Sequence, residues 1–330
     1  MNLGQKTLRI VIPGGTGHVG TLLARHFQSQ GHTVTVIARH PKAAPWRTLT
    51  WNGRDLGQWT ESIDGADVVI NLAGRSVNCR YTQAHRREIL ESRVDSTAAV
   101  GKAIAQAAHP PALWMNGSTA TIYRHALDRA MDEETGEIGG SEKGAPSTWQ
   151  FSINVATSWE RTFHASETPS TRKIALRSAM IMSPDKDGIF DTLRKLARLG
   201  LGGSAASGKQ YISWIHEQDF VSAIDFLIAR DDLDGNINVC SPEPLPNRDF
   251  MAALRYACGM PLGMPAAKWM LEIGAVFMQT ETELILKSRR VVPGRLLKTG
   301  FSFSFPHWPE AARDLIDRRR RLLATSNTPH

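Results

Sequence analysis

Cysteine is scarce in this chain. The three present, Cys79, Cys240 and Cys258, are far apart and include no CxxC pair, so they offer neither a disulfide framework nor a zinc or redox site and fit reduced thiols in a cytoplasmic protein. Long apolar runs are also missing: the one near the start, residues 8–13, is too short for a signal-peptide core or a membrane span, and neither export nor membrane association is expected. Internal repeats and low-complexity segments are absent as well, which excludes solenoid and linker-like architectures. The charge balance is basic, +7 with a pI near 9.5, but part of the excess lies in four consecutive arginines at 318–321, just after Asp317. No nucleic-acid motif accompanies them, so they read as the solvated face of a terminal helix and no nucleic-acid partner is expected. No cluster with metal-ligand spacing is seen, and no metal is expected.

What is present is an ordinary globular composition, 42% apolar and 22% charged over 330 residues, enough for a sizeable core and more than one lobe. Short β-branched runs at 8–12, 33–38, 67–72, 112–116 and 173–181 read as strands, and segments with helical spacing or composition at 19–30, 82–108 and 149–166 lie among them. This alternation predicts an α/β fold with a doubly wound parallel sheet. Past residue 183 the pattern loosens, with glycines at 200, 202, 203 and 208 and prolines at 242, 244, 246, 261 and 265. A nucleotide-binding domain over 1–182 and a smaller C-terminal substrate lobe over 183–330 are therefore expected.

The segment Pro13-Gly14-Gly15-Thr16-Gly17-His18-Val19-Gly20 places glycines at 14, 17 and 20 between the first strand and the first helix. In that context Gly14 permits a tight turn, Gly17 a close backbone approach to a pyrophosphate and Gly20 the packing of helix on strand, which makes the sheet Rossmann-type. Gly15, Thr16, His18 and Val19 complete the predicted cradle, where the helix N-terminus offers N–H groups and a positive dipole end. After the second strand, where an NAD site carries Asp or Glu for the ribose, stands Arg39, with His40 and Lys42 nearby. A guanidinium there suits the 2′-phosphate of NADP(H).

These residues resemble an extended, atypical short-chain dehydrogenase/reductase, and more narrowly the YfcH-like epimerase family. The resemblance runs through Asn71-Leu72-Ala73-Gly74, Arg80-Tyr81-Thr82, Arg87-Glu88-Ile89, Ser92-Arg93-Val94, Trp159-Glu160, Leu176-Arg177-Ser178 and Trp214-Ile215-His216, and ends in Val292-Pro293, Arg295-Leu296 and Gly300-Phe301. Tyr81 stands where the family usually has Trp. The resemblance implies that Ala38, Arg39, Leu72, Ala73, Glu88, Arg93 and Ile181 line the cofactor site, with Gly74 beside them at a strand end. Classical members use a Tyr-x-x-x-Lys pair, in which lysine lowers the tyrosine pKa for proton exchange with substrate. Here the usual spacing from Glu160 puts Ser152 and Ala156 at those positions, and no tyrosine has Lys four residues on. The segment from Ser118 through Thr119 to Tyr123 resembles the strand-end hydroxyl motif of extended members, which makes Ser118 a further candidate for the cofactor site, Thr119 the candidate helper and Tyr123 a candidate proton donor. Two functions stay open: an NADP(H)-dependent oxidoreductase or epimerase acting on a small carbonyl or sugar-like substrate, and a non-catalytic NADP(H) sensor that regulates a partner.

Overall fold

The computed structural model describes residues 6–142, 145–265 and 283–326. Arg9–Pro13 forms β1, His18–Ser29 α1, Thr33–Ala38 β2, Arg47–Thr50 β3, Val68–Asn71 β4, Gln83–Gln106 α2, Leu113–Thr119 β5, Ser147–Ala165 α3 and Arg172–Ser178 β6. The seven-stranded sheet has the spatial order β3-β2-β1-β4-β5-β6 and then β10 (Gly235–Val239), with every pairing parallel. The predicted class is therefore the observed one. Strand order reverses between β1 and β4, and this switch point opens a crevice at the carboxyl ends of those two strands.

Period-two alternation sorts the strand side chains onto two buried faces. Ile10, Ile12, Val68 and Ile70 pack with Leu23 and Phe27 of α1 and with Ile224 and Leu227 of α5 (Glu217–Ala229). Val11 and Val69 point the other way, against Ala99, Val100 and Ala103 of α2 and Phe163 of α3. The small residues of α2 let that helix lie close to the sheet.

The strand expected over 173–181 is divided. β6 stops at Ser178, the Ala179 amide turns to the Val239 carbonyl at 3.1 Å, and Met180–Met182 (β7) leaves the sheet to pair with Trp214–His216 (β9). Strand β3 has no counterpart in the sequence reading. Beyond residue 183 the chain builds a second core from α4 (Ile189–Arg198), α6 (Asn247–Ala257) and the C-terminal helix Trp308–Ser326, where Trp308 stacks on Phe250 at 4.0 Å between ring centres. The short strands Tyr211–Ile212 (β8) and Leu245–Pro246 (β11) pair at its edge. The chain also returns to the main sheet through β10, so residues on each side of position 182 build that sheet.

The segment 287–292 runs back over the loop that follows β5. Lys287 Nζ donates to the Thr121 carbonyl at 2.8 Å, Ser288 Oγ to Ala126 O at 2.6 Å, and Met131 bonds the strap through both backbone groups, its N–H donating to Arg290 O at 2.7 Å and its carbonyl accepting from Val292 N at 2.9 Å. No helix among the described residues is long and apolar enough to cross a membrane.

Candidate functional site

The crevice at the switch point is a cleft of about 350 Å³, and one wall of it is the glycine loop. Gly14 has φ +78°, and a Cβ there would stand 2.5 Å from the Ala73 amide nitrogen, so the loop and the end of β4 meet backbone to backbone. A Cβ on Gly15 would meet the Val36 side chain at 2.8 Å, and one on Gly20 would overlap the Gly15 backbone. Gly17 differs. A Cβ there would meet only Gly14 O, at 3.6 Å, because this residue borders open space. Gly17 is also the N-cap of α1 and makes no side-chain capping bond, which leaves the first-turn N–H groups and the dipole end directed at the cleft. Thr16 lines it; Val19 packs toward the core; His18 turns its ring to Gly188, with Nε2 buried and without a hydrogen-bond partner among the described residues.

Opposite the loop, Ala38 and Arg39 form the rim at the end of β2, with Arg39 exposed. Leu72, Ala73 and Gly74 line the floor, and Leu72 N donates to Pro13 O at 2.8 Å. The floor is fixed from below by a buried polar cluster: Asn71 Nδ2 donates to Asn116 Oδ1 at 2.7 Å, Ala73 N to Asn71 Oδ1 at 3.2 Å, and Trp159 Nε1 to Thr97 Oγ1 at 2.9 Å. From α2, Glu88 faces the cleft in an ion pair with Arg75. Arg93 stands behind Gly74, its guanidinium 5.1 Å from the Trp159 ring centre and 2.9 Å from the Ile89 carbonyl. Burial pulls its pKa down to about 10, against a smaller upward pull from Tyr81.

The sequence reading did not single out Trp51, Asn52, Arg54, Glu91 and Asp95, which line the walls together with Ser92. The dipeptide Asn52-Gly53 is a turn signal, but only the register of β3 against β2 brings that turn to the cofactor rim.

At the end of β5 the candidates separate. Thr119 is half-buried, and its Oγ1 accepts from Thr121 N at 3.1 Å. Ser118, expected at the cofactor, is buried outside the cleft walls, its Oγ donating to Glu160 Oε1 at 2.5 Å. Arg177 forks onto Glu160 at 2.8 and 2.7 Å and donates through Nη1 to the Tyr123 hydroxyl, which in turn donates to Asn238 Oδ1, each at 2.9 Å. Burial works against the Arg177 charge, and Glu160 outweighs it, so the Arg177 pKa lies above the ordinary value. Burial raises the Tyr123 pKa despite the guanidinium beside it. Tyr123 is 2% exposed and does not line the cleft; its hydroxyl is enclosed in structure rather than presented as a proton donor. Ser152 Oγ donates to Glu283 Oε2 at 2.5 Å. Ile181 is buried in the sheet core through β7 and lies outside the cleft walls. His216 is an N-cap: Nδ1 accepts from Gln218 N at 3.1 Å, Nε2 faces Asp314 at 3.1 Å, and the ring stacks on Phe305. No metal-ligating cluster occurs among the described residues.

Residues 10–240 match the NAD dependent epimerase/dehydratase family, and residues 266–315 match a domain of unknown function, DUF1731. The epimerase family protein SDR39U1 of Mus musculus is 32% identical over 315 residues, spanning 94% of this chain and 100% of the mouse protein. A crystal structure of the human epimerase family protein SDR39U1 (isoform2) with NADPH has a TM-score of 0.82 at 28% identity, covering 94% of this chain and 99% of the human one. A nucleoside-diphosphate sugar epimerase from Corynebacterium glutamicum shares the fold, with a TM-score of 0.73 at 23% identity over 98% of this chain and 63% of that one.

Proposed function

Because this chain belongs to the NAD dependent epimerase/dehydratase family, we propose that it binds NADP(H) in the switch-point cleft and acts as an oxidoreductase or epimerase on a small carbonyl or sugar-like substrate. The observation that carries this reading is the open Gly17 cap of α1 facing the cleft, with Arg39 in place of a carboxylate at the rim. The residues fit the group. Gly17 leaves room where a side chain would exclude a pyrophosphate, the α1 N-terminus supplies N–H donors, and Arg39 supplies a fork for a phosphate monoester. The dinucleotide, when bound, supplies the hydride chemistry. Ala73 and Gly74 keep the floor flat for the adenosine ribose, and Thr119 offers a hydroxyl at the carboxyl end of β5. That the human SDR39U1 structure was solved with NADPH supports the same cofactor here.

A fluorescence titration tests the cofactor. Arg39→Ala is expected to weaken NADPH binding about tenfold or more, the size of a lost charge-assisted contact, while NADH changes little. Equal loss for the two cofactors would sink the assignment of Arg39. For the reaction, a substrate-dependent change in NADPH absorbance across a panel of carbonyl and sugar-like compounds, lost in Thr119→Val, supports the enzyme.

A second reading has its own observation: the classical tyrosine position is Ser152, bonded to Glu283, and Tyr123 is enclosed. On that reading the chain is a non-catalytic NADP(H) sensor that regulates a partner. Tight NADPH binding with no turnover over the whole panel would favour it.

A further inference from the structure

The cleft has a second arginine that neither the glycine pattern nor the family resemblance assigns. Trp51 N donates to Ala38 O at 3.2 Å, continuing the register that sets Ala38 opposite Thr50, so the segment after β3 begins beside Arg39. That segment then turns sharply. Asn52 Oδ1 accepts from Arg54 N at 3.0 Å and Asp55 N at 2.9 Å, and Gly53 has φ +85°. Trp51 is buried edge-on against Trp59, whose Nε1 donates to Asp55 O at 3.0 Å. The turn is therefore fixed on its inner side, and its outer residue, Arg54, faces the cleft.

Among the described residues Arg54 has one charged contact there, Nη2 to Asp95 Oδ2 on α2 at 3.4 Å, with the side chains 59% and 34% exposed. A single long contact in water is worth little. The α2 wall on that side also carries Glu88, held by Arg75, and Glu91, 3.7 Å from Arg87, beside Ser92 and Ser96. A phosphate monoester, carrying about −1.5 to −2 charges, needs cations beside it where these carboxylates stand. Arg39 and Arg54 line that same cleft.

We propose that Arg54 and Arg39 form a two-arginine clamp on the 2′-phosphate of NADP(H), and that Asp95 is the counter-ion Arg54 exchanges for that phosphate. The inference rests on the reading of the cleft as an NADP(H) site. It adds a specificity-determining residue in the turn after β3, where the first follows β2, and it makes an acidic residue of α2 a competitor with the cofactor. Exchanging one weak carboxylate contact for a forked contact to a dianion favours the phosphorylated cofactor.

The test is a calorimetric or fluorescence titration of wild type, Arg39→Gln, Arg54→Gln and Asp95→Asn with NADPH, NADH and adenosine 2′-monophosphate at one ionic strength. Thermal melts of each ligand-free variant serve as a folding control. Arg54→Gln is expected to weaken NADPH and adenosine 2′-monophosphate about tenfold and to leave NADH within about twofold. Asp95→Asn is expected to tighten NADPH severalfold with NADH unchanged. If Arg54→Gln weakens NADPH and NADH equally, the side chain contacts adenine and the clamp is overturned; if it changes neither, the clamp is likewise overturned. Loss of NADPH selectivity in Arg39→Gln alone removes the role of Arg54 and leaves the cofactor reading standing. A wild-type protein that binds no NADPH overturns the two together.

Discussion

Two glycines of one loop have opposite physical duties, and substitution separates them. At Gly20 a methyl group would overlap the Gly15 backbone, where no flexible side chain can give way. Gly20→Ala is expected to destabilise the protein by about 1–3 kcal/mol, the range for overpacking a close contact, read as a lower urea midpoint. At Gly17 the backbone is already alanine-compatible, with φ −73°, and a methyl group would enter open space. Gly17→Ala is expected to leave stability within about 0.5 kcal/mol yet weaken NADPH binding at least tenfold, because the methyl would stand where the pyrophosphate approaches the helix. An unchanged NADPH titration for Gly17→Ala would contradict the proposed cofactor position. These glycines and Arg39 are legible in sequence because their duties are set by neighbours within one strand-turn-helix unit. Arg54 is not legible in that way. It reaches the rim through cross-strand register with β3, a strand of four residues whose burial pattern shows no apolar face.

Among the elements, α3 depends on an ion pair. Glu160 joins that helix to β6 through Arg177 and to β5 through Ser118, with side chains 9% and 7% exposed for the Glu160–Arg177 pair. Removing the carboxylate would leave a buried guanidinium unpaired, so Glu160→Ala is expected to lower stability by about 3–5 kcal/mol. Tyr123→Phe, which removes one hydroxyl from the same network, is expected to lower it by about 1–3 kcal/mol with NADPH affinity unchanged. Chemical denaturation of the two variants checks the order. The sequence makes Tyr123 visible as a tyrosine near a strand end, and its partners invisible. Arg177 is 54 residues away and Asn238 is 115 residues away, and no local pattern links positions so distant. The same limit applies to β6, whose apolar run continues past Ser178 although the chain changes sheets there.

For the whole molecule, His216 joins the N-terminus of α5 to the C-terminal helix through Asp314. Burial lowers its pKa from 6.5 to about 4, against the pull of the Asp314 carboxylate. The unfolded chain therefore takes up this proton first, and stability is lost as pH falls from about 6.5 toward 4. Melting temperature is expected to drop across that window, and more shallowly in His216→Asn, which keeps a capping acceptor without a titrating ring. Equal slopes would remove His216 as the cause. At this scale the alternation of strands and helices is enough to read the fold class, because every βαβ unit repeats the same local signal. The C-terminal half is less legible, since its strands are two to five residues long and one of them, β10, returns to a sheet begun more than 200 residues earlier.

The strap over the β5 loop has a consequence for the order in which the protein can be completed. A chain made from its N-terminus exposes Ala126 long before Ser288, which follows 162 residues later and closes over it. The glycine loop can settle early, on strands that surround it in sequence. The ground around Thr119 and Thr121 cannot, and a nascent chain able to hold nucleotide would still have an unfinished floor beside it.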